Sequence, residues 1–124
     1  MPVALVVDDS MLIRHTVCRF LEQRGFTVET ATNGAEALAL LATLQPNLIL
    51  TDLMMPKLSG SELITAIKGN PSTAAIPVVV LSARSSADQV HPEDRAEYVI
   101  YKDIDIETQL DRALAAVTAV SGSR

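Results

Sequence analysis

Val3-Ala4-Leu5-Val6-Val7-Asp8-Asp9-Ser10 is an unbroken apolar run that stops abruptly at two carboxylates. A strand with one wet face alternates polar and apolar residues, whereas a continuous run of this length fits a strand covered on both faces, as in a parallel sheet. The same form returns at Leu48-Ile49-Leu50-Thr51-Asp52, at Pro77-Val78-Val79-Val80-Leu81-Ser82 and, more weakly, at Tyr98-Val99-Ile100-Tyr101-Lys102. A fifth run, Phe26-Thr27-Val28-Glu29-Thr30-Ala31, alternates and suits a strand nearer an edge.

Between these runs the apolar period becomes helical. Ile13, Val17, Phe20 and Leu21 make one stripe, with Arg14, Arg19 and Glu22 elsewhere and Gly25 as a stop. Ala35, Leu38 and Ala42 make a second after the capping and turning residues Thr32-Asn33-Gly34. Leu63, Ile64 and Ile67 make a third, ended by Gly69-Asn70-Pro71. Ile106, Leu110, Leu114 and Val117 make the last, with Asp105 as N-cap. Ser85 to Glu97 should hold the remaining crossover helix, but Pro92 interrupts it and few residues there are apolar, so that fourth helix is expected to be short or irregular. Strands alternating with helices predict an α/β fold: a doubly wound, five-stranded parallel sheet with right-handed crossovers and helices on both faces. Residues 1–120 read as one domain and 121–124 as a tail or the start of a linker.

The composition agrees. The chain has 124 residues, 48% of them apolar and 20% charged, enough to build one core. Its 10 basic and 15 acidic residues give a net charge of −5, which disfavours holding nucleic acid or an anionic membrane by charge. With no Trp and 3% aromatics, stacking platforms for single strands are also disfavoured. No apolar run approaches the roughly 20 residues of a membrane span, and Met1-Pro2-Val3 leads into a strand rather than a signal peptide. Cys18 is the single cysteine, which excludes an internal disulfide and any multi-cysteine metal site; it is expected to be a small core residue. His15 falls on the charged side of the first helix and His91 precedes Pro92, and both are expected to be solvated.

Ligand sites of open parallel sheets lie at the carboxyl ends of the strands. The polar residues at those ends are Asp8, Asp9, Asp52, Ser82 and Lys102, drawn from four strands. Three crowded carboxylates repel one another unless a cation sits among them, and a hard, oxygen-ligated cation that keeps several waters, Mg²⁺ above all, suits such a place. Lys102 adds a point charge for an anion bound to the metal. A nucleophile, a metal and a cation are the parts that phosphoryl transfer requires.

Val6-Val7-Asp8-Asp9-Ser10, Ala31-Thr32-Asn33-Gly34-Ala35-Glu36-Ala37-Leu38, Thr51-Asp52-Leu53-Met54-Met55-Pro56, Gly60, Leu81-Ser82-Ala83 and Lys102 together resemble the receiver domain of two-component response regulators, the CheY-like family. The resemblance covers about Pro2 to Val120 and implies a flavodoxin-like fold with strand order 2-1-3-4-5. It implies that Asp52 accepts a phosphoryl group from the phosphohistidine of a sensor histidine kinase or phosphotransfer protein in the cytoplasm. Asp9 and Asp52 would bind Mg²⁺ directly, Asp8 partly through water, and the carbonyl of Met54 would complete the protein ligands. Ser82 would donate to one phosphoryl oxygen and Lys102 would pair with another, while Pro56 and Gly60 shape the loop after the acceptor. The added charge of about −2 would draw Ser82 and Lys102 inward and switch an interaction surface.

The chain departs from that family at its output corner. Asp103 stands where proline usually follows the site lysine, and a non-proline cis bond costs about 3–4 kcal/mol, so the Lys102–Asp103 peptide is expected to be trans. Val99 holds the place of the switch aromatic, with Tyr98 and Tyr101 beside it, and Arg95-Ala96-Glu97-Tyr98 replaces a common Gly-Ala pair. A receiver-fold module that signals by docking, with little phosphorylation, is therefore the alternative. An aspartate-nucleophile phosphatase would want a second Asp at position 54, where Met stands, and no G-x-G-x-x-G follows the first strand for a dinucleotide.

Overall fold

The computed structural model of the chain describes residues 2–52, 60–82, 98–101 and 105–122. Five strands, β1 (Val3–Val7), β2 (Thr27–Ala31), β3 (Leu48–Asp52), β4 (Val78–Ser82) and β5 (Tyr98–Tyr101), form one parallel sheet in the order β2-β1-β3-β4-β5. Among the described residues, four helices accompany it: α1 (Met11–Gln23), α2 (Gly34–Leu41), α3 (Gly60–Gly69) and α4 (Ile106–Gly122). This is the expected doubly wound α/β architecture, with the alternating fifth run, β2, on an edge. The expected irregular helix within Ser85–Glu97 lies outside the described residues.

The unbroken apolar runs are explained by the two faces they cover. Successive side chains of a strand point to opposite faces, so Ala4 and Val6 pack with Val17, Phe20 and Leu21 of α1 and Leu110 and Ala113 of α4. Leu5 and Val7 pack instead with Ala37 of α2 and Leu63, Ile64 and Ile67 of α3. Every residue from Ala4 to Val7 is fully buried. The predicted stripes of α1 and α3 point inward as expected, with Ile13 only partly buried. Ile106 and Leu114 of α4 are likewise partly buried, on either side of Leu110.

Helix α2 differs from expectation. Ala35, Leu38 and Ala42 lie on its outer side, with Leu38 36% exposed, whereas Gly34 and Ala37 are buried and Leu40, Leu41 and Leu44 pack partly against the core. The segment Gly34-Ala35-Glu36-Ala37-Leu38-Ala39-Leu40-Leu41 is apolar almost all round, so periodicity does not set its phase and packing against α3 and the sheet does.

The helix starts are capped as the residue types suggest. Ser10 Oγ accepts the Ile13 N–H at 3.3 Å, and Asn33 Oδ1 accepts the Glu36 N–H at 2.8 Å while the Thr32 N–H donates back to Glu36 at 2.7 Å. Asp105 caps α4, accepting from the Thr108 hydroxyl at 2.7 Å and its N–H at 3.3 Å; these bonds hold the Asp105 carboxyl below its usual range. Helix α4 continues through Gly122, past the expected start of the tail at Ser121. Arg24, at the end of α1, lies 3.6 Å over the Phe20 ring and reaches Asp111 of α4 at 3.4 Å, an exposed tie that contributes little.

Gly25 turns the chain from α1 into β2 with φ +90°. A Cβ there would meet nothing within 4 Å, so the penalty of a side chain is conformational alone. Gly25→Ala should lower stability by about 1–2 kcal/mol, read as a lower urea midpoint with an unchanged slope.

Candidate functional site

Parallel register decides which strand ends meet. Val7 lies between Ala31 of β2 and Thr51 of β3, so the chain leaves β1 at Asp8 directly beside Asp52, the last residue of β3. One carboxylate oxygen from each of Asp8, Asp9 and Asp52 lies within 4.8 Å of the others. Asp8 is fully buried and Asp52 is 5% exposed, while Asp9 faces solvent.

The turn from β1 to α1 is held at several points. The Asp8 N–H donates to the Ala31 carbonyl at 3.1 Å, and Asp8 Oδ1 accepts the Ser10 N–H at 2.8 Å. The Asp8 carbonyl accepts Arg14 Nη1 at 2.7 Å. Beside it, the Thr51 hydroxyl donates to the Asp52 carbonyl at 3.0 Å, which keeps a buried polar side chain satisfied next to the site.

Three anionic oxygens so close, two of them on buried residues, form a donor set for a hard divalent cation; exposed Asp9 leaves room for the waters such an ion retains. The residues present fit Mg²⁺. Among the described residues this is the one cluster of His, Cys, Asp and Glu compact enough to hold a metal.

Ser82 ends β4 one position beyond Leu81, the partner of Asp52, and opposite Tyr101 of β5, so its backbone reaches the same edge. Gly60 begins α3. Lys102, Met54, Pro56, His91 and the Lys102–Asp103 peptide lie outside the described residues. His15 is exposed and lines a shallow groove with Arg19, Phe20 and Glu107, between α1 and α4. Cys18 is partly buried against the core, and burial, reinforced by Glu22 and opposed by Arg14, raises its pKa, which disfavours the nucleophilic thiolate.

Sequence reasoning placed Arg14 off the apolar stripe of α1 and did not foresee its bond to the Asp8 carbonyl. The signal was present: helical side chains slant toward the N-terminus, so a long cationic side chain in the first turn of α1 reaches back over the preceding turn.

The comparisons with known proteins agree with one another. The Pseudomonas aeruginosa protein PilG is 41% identical over 80 residues, 64% of this chain and 59% of PilG. The chain spans about half the length of the curated relatives it matches. Chemotaxis response regulator CheY4 of Vibrio cholerae has a similar structure, with a TM-score of 0.84 and 30% identity over 94% of this chain and 98% of that one. The Mn²⁺-bound form of response regulator Rcp1 superposes with a TM-score of 0.79 and 28% identity, over 95% of this chain and 93% of that one. Residues 4–114 match the response regulator receiver domain as a family, a span that runs from β1 into α4 and takes in all three carboxylates. With the strand order and the acidic edge in agreement, the chain belongs to the response regulator receiver domain family.

Proposed function

We propose that this domain takes a phosphoryl group onto Asp52 from the phosphohistidine of a sensor histidine kinase or phosphotransfer protein, and so switches a protein-interaction surface. The observation that carries the proposal is the convergence of Asp8, Asp9 and the nearly buried Asp52 at the carboxyl edge of a receiver fold. Asp52 ends a strand whose five residues are all buried, a rigid setting that supports reading its carboxylate as the positioned nucleophile.

In this reading an Asp52 carboxylate oxygen forms the bond to phosphorus as the bond from phosphorus to the donor's histidine nitrogen breaks. The electron pair leaves with the imidazole. Asp8, Asp9 and Asp52, with the Met54 carbonyl, would hold Mg²⁺, which would supply charge neutralisation for the phosphoryl oxygens. Ser82 would donate its hydroxyl to one phosphoryl oxygen, and Lys102 would pair with another. The new charge of about −2 beside these two groups is the switching input. The domain then acts as a signal acceptor in the cytoplasm rather than as an enzyme on external substrates. Its output would pass through protein contacts, not through nucleic acid or a membrane.

Acetyl phosphate with Mg²⁺ tests this. One phosphoryl group should appear by intact mass, should be lost on mild alkali as an acyl phosphate, and should not form in EDTA. A chain that stays unlabelled at saturating Mg²⁺ would instead signal by docking alone.

A further inference from the structure

We infer that Arg14 is a positioning residue for the cation site: its guanidinium fixes the peptide that joins Asp8 to Asp9. The inference rests on the cation site proposed above and adds a residue to it.

The bond from Arg14 Nη1 to the Asp8 carbonyl is 2.7 Å, at the short end for N–H···O and typical of a charged donor. It spans six residues and is partly buried, so water competes weakly for the same carbonyl. Asp8 is also anchored through its N–H on Ala31 and its carboxylate on the Ser10 N–H. Asp9 differs. Among the described residues no hydrogen bond holds its carboxylate, and the residue is exposed. The aim of Asp9 toward Asp8 and Asp52 therefore depends on its backbone, and the plane of its leading peptide is set by the carbonyl that Arg14 grips. A ligand whose side chain is otherwise unrestrained gains most from such a hold.

The guanidinium has a second, opposing effect. It is a positive charge near the cation site, so by Coulomb repulsion alone its removal should tighten Mg²⁺ binding. Positioning predicts the reverse sign. The two effects can therefore be separated by measurement.

Mg²⁺ binding to the full chain is measured by calorimetry, with two-dimensional NMR of the metal-free protein, for wild type, Arg14→Met, Arg14→Lys and Arg19→Met. Arg19 is exposed on the same helix, and its replacement removes the same charge without touching Asp8. Arg14→Met should bind Mg²⁺ roughly tenfold more weakly than wild type. Arg14→Lys should fall between the two, because an ammonium keeps the charge without the planar fork. Arg19→Met should bind as wild type does. In the metal-free Arg14→Met spectrum the Asp9 amide, on the peptide that Arg14 grips, should shift more than the amides of α3. Equal or tighter Mg²⁺ binding by folded Arg14→Met, alongside normal binding by wild type, overturns the positioning role and leaves the cation site intact. No binding by wild type overturns both. Should Arg14→Met fail to fold, weaker binding by Arg14→Lys supports the inference and binding equal to wild type overturns it.

Discussion

Asp52→Asn protein treated with acetyl phosphate and Mg²⁺ is expected to gain no phosphoryl group under conditions in which the wild-type chain should label. The carboxamide has nearly the shape of the carboxylate, and the residue sits at the end of a fully buried strand, so the fold should survive the change. The carboxamide oxygen is a far weaker nucleophile, and an acyl phosphate cannot form on it without losing ammonia. The loss should therefore be total rather than graded. Asp9→Asn supplies the contrast. In the proposed reading Asp9 would contribute a metal ligand and no bond to phosphorus, so raising Mg²⁺ and donor should recover its label, whereas no concentration should recover label in Asp52→Asn. Undiminished labelling of Asp52→Asn would place the acceptor on another carboxylate, and intact mass with peptide mapping would locate it.

The site was legible for a topological reason. Asp8, Asp9 and Asp52 end strands that read as buried on both faces, and in a parallel sheet all such ends open on one edge. What the residues alone do not give is register, which makes Asp8 rather than Val7 the neighbour of Asp52. The sheet was legible because β1, β3 and β4 must each satisfy two cores, which leaves no polar residue within the runs from Ala4 to Val7 and from Val78 to Leu81. Helix α2 was misread in phase because its apolar residues nearly encircle it, so Leu38 and Ala37 look equally fit for burial until α3 is in place. Arg14 escaped for another reason. A periodicity argument sorts side chains by their angle around the helix, and Arg14 acts along the axis, reaching back past the helix start to the Asp8 carbonyl.

Asp8→Asn should make the metal-free protein more stable while abolishing its response to Mg²⁺. Asp8 is fully buried with carboxylate neighbours within 4.8 Å. Two like charges at that separation repel by about 3 kcal/mol at an effective dielectric constant near 20. Burying a charge also costs more than burying an amide. Against this, the guanidinium on the Asp8 carbonyl already offsets part of the repulsion. The asparagine Oδ1 can keep the bond from the Ser10 N–H, so no backbone anchor need be lost. The net gain in EDTA is expected at about 1–2 kcal/mol, or roughly 4–8 °C in the melting midpoint. The wild-type chain should gain from Mg²⁺ instead, by about 2.7 kcal/mol at a hundred times its Kd, and the variant, with a proposed ligand removed, should gain little. The order of the two melting curves should therefore reverse between EDTA and saturating Mg²⁺. A variant less stable than wild type in EDTA would show that contacts of the Asp8 carboxylate outweigh its repulsion. The crossing would show that these carboxylates are kept for the cation, at a cost in stability that the metal-free fold carries.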